Sequence, residues 1–194
     1  MITHIHGKLV EKTPTYVVID VNGVGYKIKI SLQTFSAIDG ELCKLYTHLA
    51  IKEDSHTLFG FFVESERHLF RNLISVSGVG PSTAQVILST YSTEEIIHHI
   101  TTADVKAIES VKGIGAKTAQ RIIIDLKDKV AKGMPTSDLL FDNTDNTIKD
   151  EALSALLALG FAKKAAENKI DKVLKTNSEI TSVEELVKTA LSQM

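Results

Sequence analysis

Two glycine-bracketed turns carry the chemistry that the residue types of this chain can support. Ser75-Val76-Ser77-Gly78-Val79-Gly80-Pro81-Ser82-Thr83-Ala84-Gln85 returns 35 positions later as Ser110-Val111-Lys112-Gly113-Ile114-Gly115-Ala116-Lys117-Thr118-Ala119-Gln120. Both copies run into an apolar helical pattern, Val86-Ile87-Leu88 and Ile122-Ile123-Ile124. A Gly-x-Gly turn that opens a helix presents bare backbone N–H groups at the positive end of the helix dipole, a site for an oxyanion. Two such turns in tandem imply two phosphates at a fixed separation, and therefore a nucleic-acid backbone. The candidate contacts are Gly78, Val79, Gly80, Ser82 and Thr83 in the first copy. In the second they are Gly113, Ile114, Gly115, Lys117, Thr118 and Arg121. Lys117 falls on the first turn of the outgoing helix, and Arg121, four residues on, shares its face. Ser82 holds the place of Lys117 in the first copy, which leaves that turn to its amides and the hydroxyls of Ser82 and Thr83.

Glycine suits a chain reversal between helices because it tolerates φ > 0 and close approach of a ligand. The residue between the glycines, Val79 or Ile114, is apolar and should pack between the flanking helices. Pro81 fits the first turn of a helix, where its missing N–H is not needed. Ala84 and Ala119 are small enough for two helices to pack closely. This is the pattern of a helix-hairpin-helix. The phosphate could instead belong to a nucleotide, but a P-loop needs Gly-Lys-Ser/Thr with an upstream glycine, and here Ala116 precedes Lys117 and Val111 stands upstream. The dinucleotide fingerprint fails for want of a third glycine.

Other clusters are weaker. His4 and His6 alternate along one strand, and His98 and His99 are adjacent; neither pair has the spacing or the acidic companion of a helical zinc site. Glu53, Asp54 and His56 crowd one short turn. No arrangement for nucleophilic catalysis stands out, so no active site, metal or cofactor is expected. An enzymatic alternative, a structure-specific nuclease or glycosylase, would have to use carboxylates such as Asp125 and Asp128 after the second turn. A third reading is a module whose hairpins bind protein.

The 194-residue chain has a net charge of −2 and a single cysteine, Cys43, so disulfides and Cys-based zinc sites are not expected. No apolar run reaches the roughly 18–20 residues that span a bilayer. The N-terminus lacks the charged and apolar regions of a signal peptide, and a reducing cytoplasm is the expected compartment. Charge is uneven: residues 1–63 are neutral, 64–132 carry +1 and 133–194 carry −3. Without a basic coat, nucleic-acid binding must rest on backbone donors and a few placed cations, which give affinity without sequence readout.

The elements that would position these groups fall into an α+β, multidomain plan. Residues 1–63 read as strands: Val17–Val21 and Val24–Ile30 flank Asn22-Gly23, a type I′ hairpin signal. Leu45–Ile51 and Thr57–Phe62 form a second hairpin around Lys52–His56. Five or six short strands with a brief helix near Gln33–Ile38 predict an OB-type β-barrel. Residues 64–132 predict a helical tandem helix-hairpin-helix domain, with helices over Glu64–Val76, Ser82–Thr90 and Lys117–Val130, a capped start at Ser92-Thr93-Glu94-Glu95, and another start at Thr102–Asp104. Residues 133–146 read as a flexible linker. Residues 147–194 predict a three-helix domain whose first apolar face includes Leu156, Leu157, Leu159 and Phe161; a tethered domain of this size suits partner binding.

The chain resembles the RuvA family of Holliday-junction branch-migration subunits. The resemblance covers essentially the whole length and rests on Gly23-Val24-Gly25-Tyr26, Lys52-Glu53-Asp54 with Leu58-Phe59-Gly60-Phe61, the two hairpins, and Ala155-Leu156-Leu157-Ala158-Leu159-Gly160-Phe161, in that order. It implies a non-catalytic homotetramer that holds four-way junction DNA open during recombination and repair. It implies two partners, the hexameric ATPase motor RuvB and the junction nuclease RuvC, and no membrane. It implies that the hairpins hold duplex arms by phosphates, and that the third domain docks the motor, with Leu156, Leu159 and Phe161 as candidate contacts. Acids in a turn ordinarily do no more than solvate it, but the resemblance makes Glu53 and Asp54 an acidic pin at the junction centre. There each like-charge contact with a phosphate would be worth on the order of 1–4 kcal/mol. The family often has lysine where this chain has Ser82.

Overall fold

The computed structural model describes residues 2–131, 144–176 and 182–192. They form two compact units, Met1–Pro135 and Thr136–Met194.

In the first unit, strands β1 (His4–Lys12), β2 (Tyr16–Val21), β3 (Val24–Ile30), β4 (Leu42–Ile51) and β5 (His56–Phe61) close into a barrel in the order β1-β2-β3-β5-β4, with helix α1 (Leu32–Ala37) between β3 and β4. Every neighbouring pair is antiparallel except β3 and β5. The β2–β3 turn is the one the Asn-Gly pair predicts: Asn22 and Gly23 have φ of 52° and 88°, and the Gly23 N–H donates to Asp20 Oδ1 at 3.0 Å. Along β3 the branched residues Ile28 and Ile30 are buried and the alternate Lys27 and Lys29 are exposed, the period-2 signature of a strand with one wet face. Gly60 on β5 admits close approach, since a Cβ there would lie 2.6 Å from Ile28 Cγ2.

Helix α2 (Glu64–Ile74) ties the barrel to the helices that follow. Its Glu66 is buried and accepts hydrogen bonds from the Ser31 hydroxyl and, at 2.7 Å, from Thr34 Oγ1. Thr34 Oγ1 in turn accepts from the Phe62 N–H at 3.0 Å. Burial pushes the Glu66 carboxyl above its ordinary value, and the hydroxyl donors oppose that shift. Barrel side chains continue into the helical core: the Phe59 and Phe61 rings lie 5.1 and 4.9 Å from that of Phe70 on α2. Packing between Phe59, Phe61 and Phe70 therefore crosses the boundary that the sequence places at residue 63.

Helices α3 (Pro81–Thr90), α4 (Thr93–Thr101), α5 (Val105–Glu109) and α6 (Ala116–Ala131) complete the unit around Leu69, Leu73, Ile87, Leu88, Ile96 and Ile122. Ser92 and Glu95 cap α4 reciprocally. Asp104 caps the short α5 through the Ala107 N–H at 3.1 Å.

The second unit holds α7 (Thr144–Ala158), α8 (Lys163–Thr176) and α9 (Val183–Ser192) around Ala152, Leu156, Ile170, Val173 and Leu186. Helix α7 ends in a Schellman motif: Gly160 has φ +93°, its N–H donates to the Leu157 carbonyl at 3.0 Å, and the Phe161 N–H donates to that of Leu156 at 3.1 Å. Helix α7 begins inside the stretch read from sequence as linker, so Thr144–Asn146 are helical. The rest of that expectation, residues 133–143, lies outside the described residues.

Candidate nucleic-acid interface

The two hairpins repeat in backbone as they do in sequence. Gly78 and Gly113 have φ of +93° and +91°, a region that favours glycine. Gly80 and Gly115, the second glycine of each pair, do not have positive φ. Positive φ therefore accounts for glycine only at the first position of each pair.

Val79 and Ile114 stand inside the turns. Both are buried, and their N–H groups donate to the carbonyls of Val76 and Val111 at 3.0 and 3.1 Å. Their side chains pack within the hairpin, as the sequence led us to expect, and their amides are engaged there. The amides turned outward are those that open the next helix. Among the described residues, no protein acceptor meets the N–H groups of Gly80, Ser82 and Thr83, or of Gly115, Ala116 and Lys117.

The turns lie against each other. A Cβ built on Gly78 would come within 3.8 Å of Thr118 Oγ1, at the start of α6. The first hairpin thus abuts the helix that leaves the second, and two amide-lined helix starts are held at one separation by a shared core. Lys117 and Arg121 are exposed on α6, and neither forms an ion pair with a described residue. Ser82 is exposed and Thr83 and Thr118 are half-buried.

The way these helices begin differs from the side-chain-capped starts of others in the chain, although α2, which opens on Val63, also lacks a side-chain cap. α1, α4, α5 and α9 open with a side-chain oxygen, from Ser31, Ser92, Asp104 and Ser182, accepting an N–H of the first turn. α3 opens on Gly80 with no side-chain cap, and α6 follows Gly115. A capping oxygen would occupy the amides that an external anion needs. Sequence reasoning missed this contrast, although the Ser and Asp starts and the two glycine starts could be read from the residue types.

Glu53 and Asp54 form the tip between β4 and β5. The turn is closed by the Lys52 N–H donating to the Ser55 carbonyl at 2.8 Å, and both acids are exposed. Among the described residues no group of three or more His, Cys, Asp or Glu is placed to hold a metal ion, and no helix is long and apolar enough to cross a membrane. Of the candidate partner contacts in the second unit, Leu156 is fully buried and belongs to the core, Leu159 is 61% exposed and Phe161 is half-buried against the core. Leu157, 39% exposed, joins Leu159 on the surface.

A closed barrel that sends Phe59 and Phe61 into the core of two hairpin helices without side-chain caps defines a tandem helix-hairpin-helix protein. Family models agree along the chain: RuvA N terminal domain matches residues 1–60, SAM-like Helix-hairpin-helix tandem matches residues 70–128, and RuvA, C-terminal domain matches residues 147–194. Holliday junction branch migration complex subunit RuvA of Christiangramia forsetii is 55% identical over 195 residues, covering 100% of both chains. The proteins of the same description from Flavobacterium psychrophilum and Porphyromonas gingivalis are 52% and 44% identical, again over 100% of both chains. The chain belongs to the RuvA family.

Proposed function

We propose that this chain is a non-catalytic scaffold that binds four-way junction DNA and supports branch migration. The observation that carries the reading is the pair Gly80 and Gly115. Both are exposed, neither has positive φ, and a Cβ at either would meet nothing within 4 Å. Folding has no use for glycine there, and a side-chain cap would be the more stable choice. What glycine provides is bare amides for a phosphate to approach. The abutting turns then grip two phosphates of one duplex arm, with Lys117, Thr118 and Arg121 adding charge and hydroxyl donors to the second turn, and Ser82 and Thr83 adding hydroxyls to the first.

In this reading four copies of the chain surround the junction, and Glu53 and Asp54 form the acidic pin at the crossover, where their charge keeps strands apart. The curated relatives are named as subunits of a branch migration complex. The proposed partners are accordingly the ATPase motor RuvB, docked through residues 147–194 with Leu159 at the contact, and the junction nuclease RuvC. The buried, unpaired Cys43 suits a reducing cytoplasm.

Gel-shift competition tests the central claim. Four-way junction DNA should displace a labelled junction at far lower concentration than linear duplex of equal length. Equal competition by the two would defeat the reading. Deleting residues 147–194 should spare junction binding and abolish stimulation of the motor; retained stimulation would refute the docking assignment.

A further inference from the structure

We propose that Lys27 and Lys29, on the barrel, supply the cationic half of the first hairpin's phosphate site, the half that Ser82 lacks. The inference rests on the reading of the hairpins as phosphate clamps. A cleft of about 600 Å³ separates the β2–β3 face of the barrel from α3. Tyr16, Lys27 and Lys29 line one side, and Ser82, Gln85 and Ser89 line the other. Ser82 is common to both features: its amide opens the hairpin helix, and its side chain lines the cleft. A strand of DNA on the first hairpin therefore runs along the mouth of a groove walled by two lysines.

The lysines are available for this. Both are exposed, and neither forms an ion pair with a described residue. Lys27 Nζ lies 3.9 Å from the centroid of the Tyr16 ring, and the Tyr16 hydroxyl donates to Glu11 Oε1 at 2.6 Å, so the nearby carboxylate is engaged with the phenol. The strand period holds the two cations on the same face of β3, with Ile28 and Ile30 anchored in the core. Two cations without ion pairs and a free helix-start amide around one groove match the charge and acceptors of a phosphodiester strand.

The test is junction affinity of the full-length protein across a range of salt, read by fluorescence anisotropy of a synthetic four-way junction. Lys27→Gln with Lys29→Gln should weaken binding roughly tenfold or more at about 0.1 M salt and flatten the dependence of log K on log salt by about two units. Adding Ser82→Lys to that pair should restore about one unit, because a cation returns to the same phosphate. An unchanged slope in the double lysine variant would overturn the inference; if Gly80→Val with Gly115→Val still abolished binding, the hairpin reading would stand without it. A reduced slope that Ser82→Lys does not restore would place the lysines elsewhere on DNA and also overturn it. Failure of the unaltered chain to bind the junction would remove both.

Discussion

The first and second hairpins place the same backbone in the same way and arm it differently. Each has a left-handed glycine (Gly78, Gly113), a buried branched residue (Val79, Ile114) and a helix that opens without a side-chain cap. The second then carries Lys117 and Arg121, where the first carries Ser82 and Val86. The repeat preserves what the turn needs to fold and to present amides. Charge is free to vary because it need not come from the hairpin's own helix. For the first hairpin the facing barrel strand is the alternative source, and for the second no substitute is required.

That comparison can be broken in four places. The largest effect is expected from Gly80→Val with Gly115→Val. Branched side chains there cover the outward amides, and each lost amide–phosphate bond costs about 1.5–3 kcal/mol. Junction affinity should fall at least tenfold with little change in melting temperature, since both positions are open; lost affinity accompanied by unfolding would contradict the assignment. Next, Lys117→Ala with Arg121→Ala should reduce the salt slope of junction binding by about two units. Ser82→Ala should leave that slope alone, so equal slopes for the two variants would erase the proposed asymmetry.

A third substitution separates folding from binding. Gly113→Ala forces a Cβ into the left-handed region at a strain of about 1–2 kcal/mol, and chemical denaturation should show it. Gly78→Ala should cost about the same, because its nearest contact, Thr118 Oγ1 at 3.8 Å, is an ordinary one. A large difference between the two would mean that the turns are not equivalent in packing. The smallest effect concerns the frame that holds them. Burial raises the Glu66 carboxyl above its usual value, so the neutral form is the one the fold favours. Its contribution to stability is fully present below the ordinary carboxylate pKa and is lost as pH rises through the raised value. The stability difference between the unaltered chain and Glu66→Gln should accordingly be greatest in acid and shrink across that window; a difference that grows with pH would contradict the burial argument.

Local chemistry made much of this legible before any coordinates. Asn22-Gly23 specifies its turn because both residues accept positive φ, and Ser92 with Glu95 specifies a helix start because each satisfies the other's orphan amide. The hairpins were legible for the same reason and through repetition. Errors fell where a residue's role depends on what it meets in space. Val79 and Ile114 belong to the turns in sequence, yet their amides are spent inside them. Leu156 and Leu159 sit three apart on one apolar stripe, and only packing against Ile170 and Leu186 makes the first core and leaves the second exposed. Thr144–Asn146 are polar and read as linker, but they are the first turn of α7.

The order of amino acids by itself determined the turn types, the helix starts and the two-fold repetition of an amide-presenting loop. Each of these is settled by interactions within about four residues, where dihedral preference and capping dominate. The tertiary structure alone decided that the first loop meets the helix leaving the second, that Phe59 and Phe61 of the barrel enter the helical core, and that Lys27 and Lys29 come to face Ser82. The first and last of these join residues about forty or more positions apart. Burial of apolar surface, which is blind to sequence separation, is the force that brings them together.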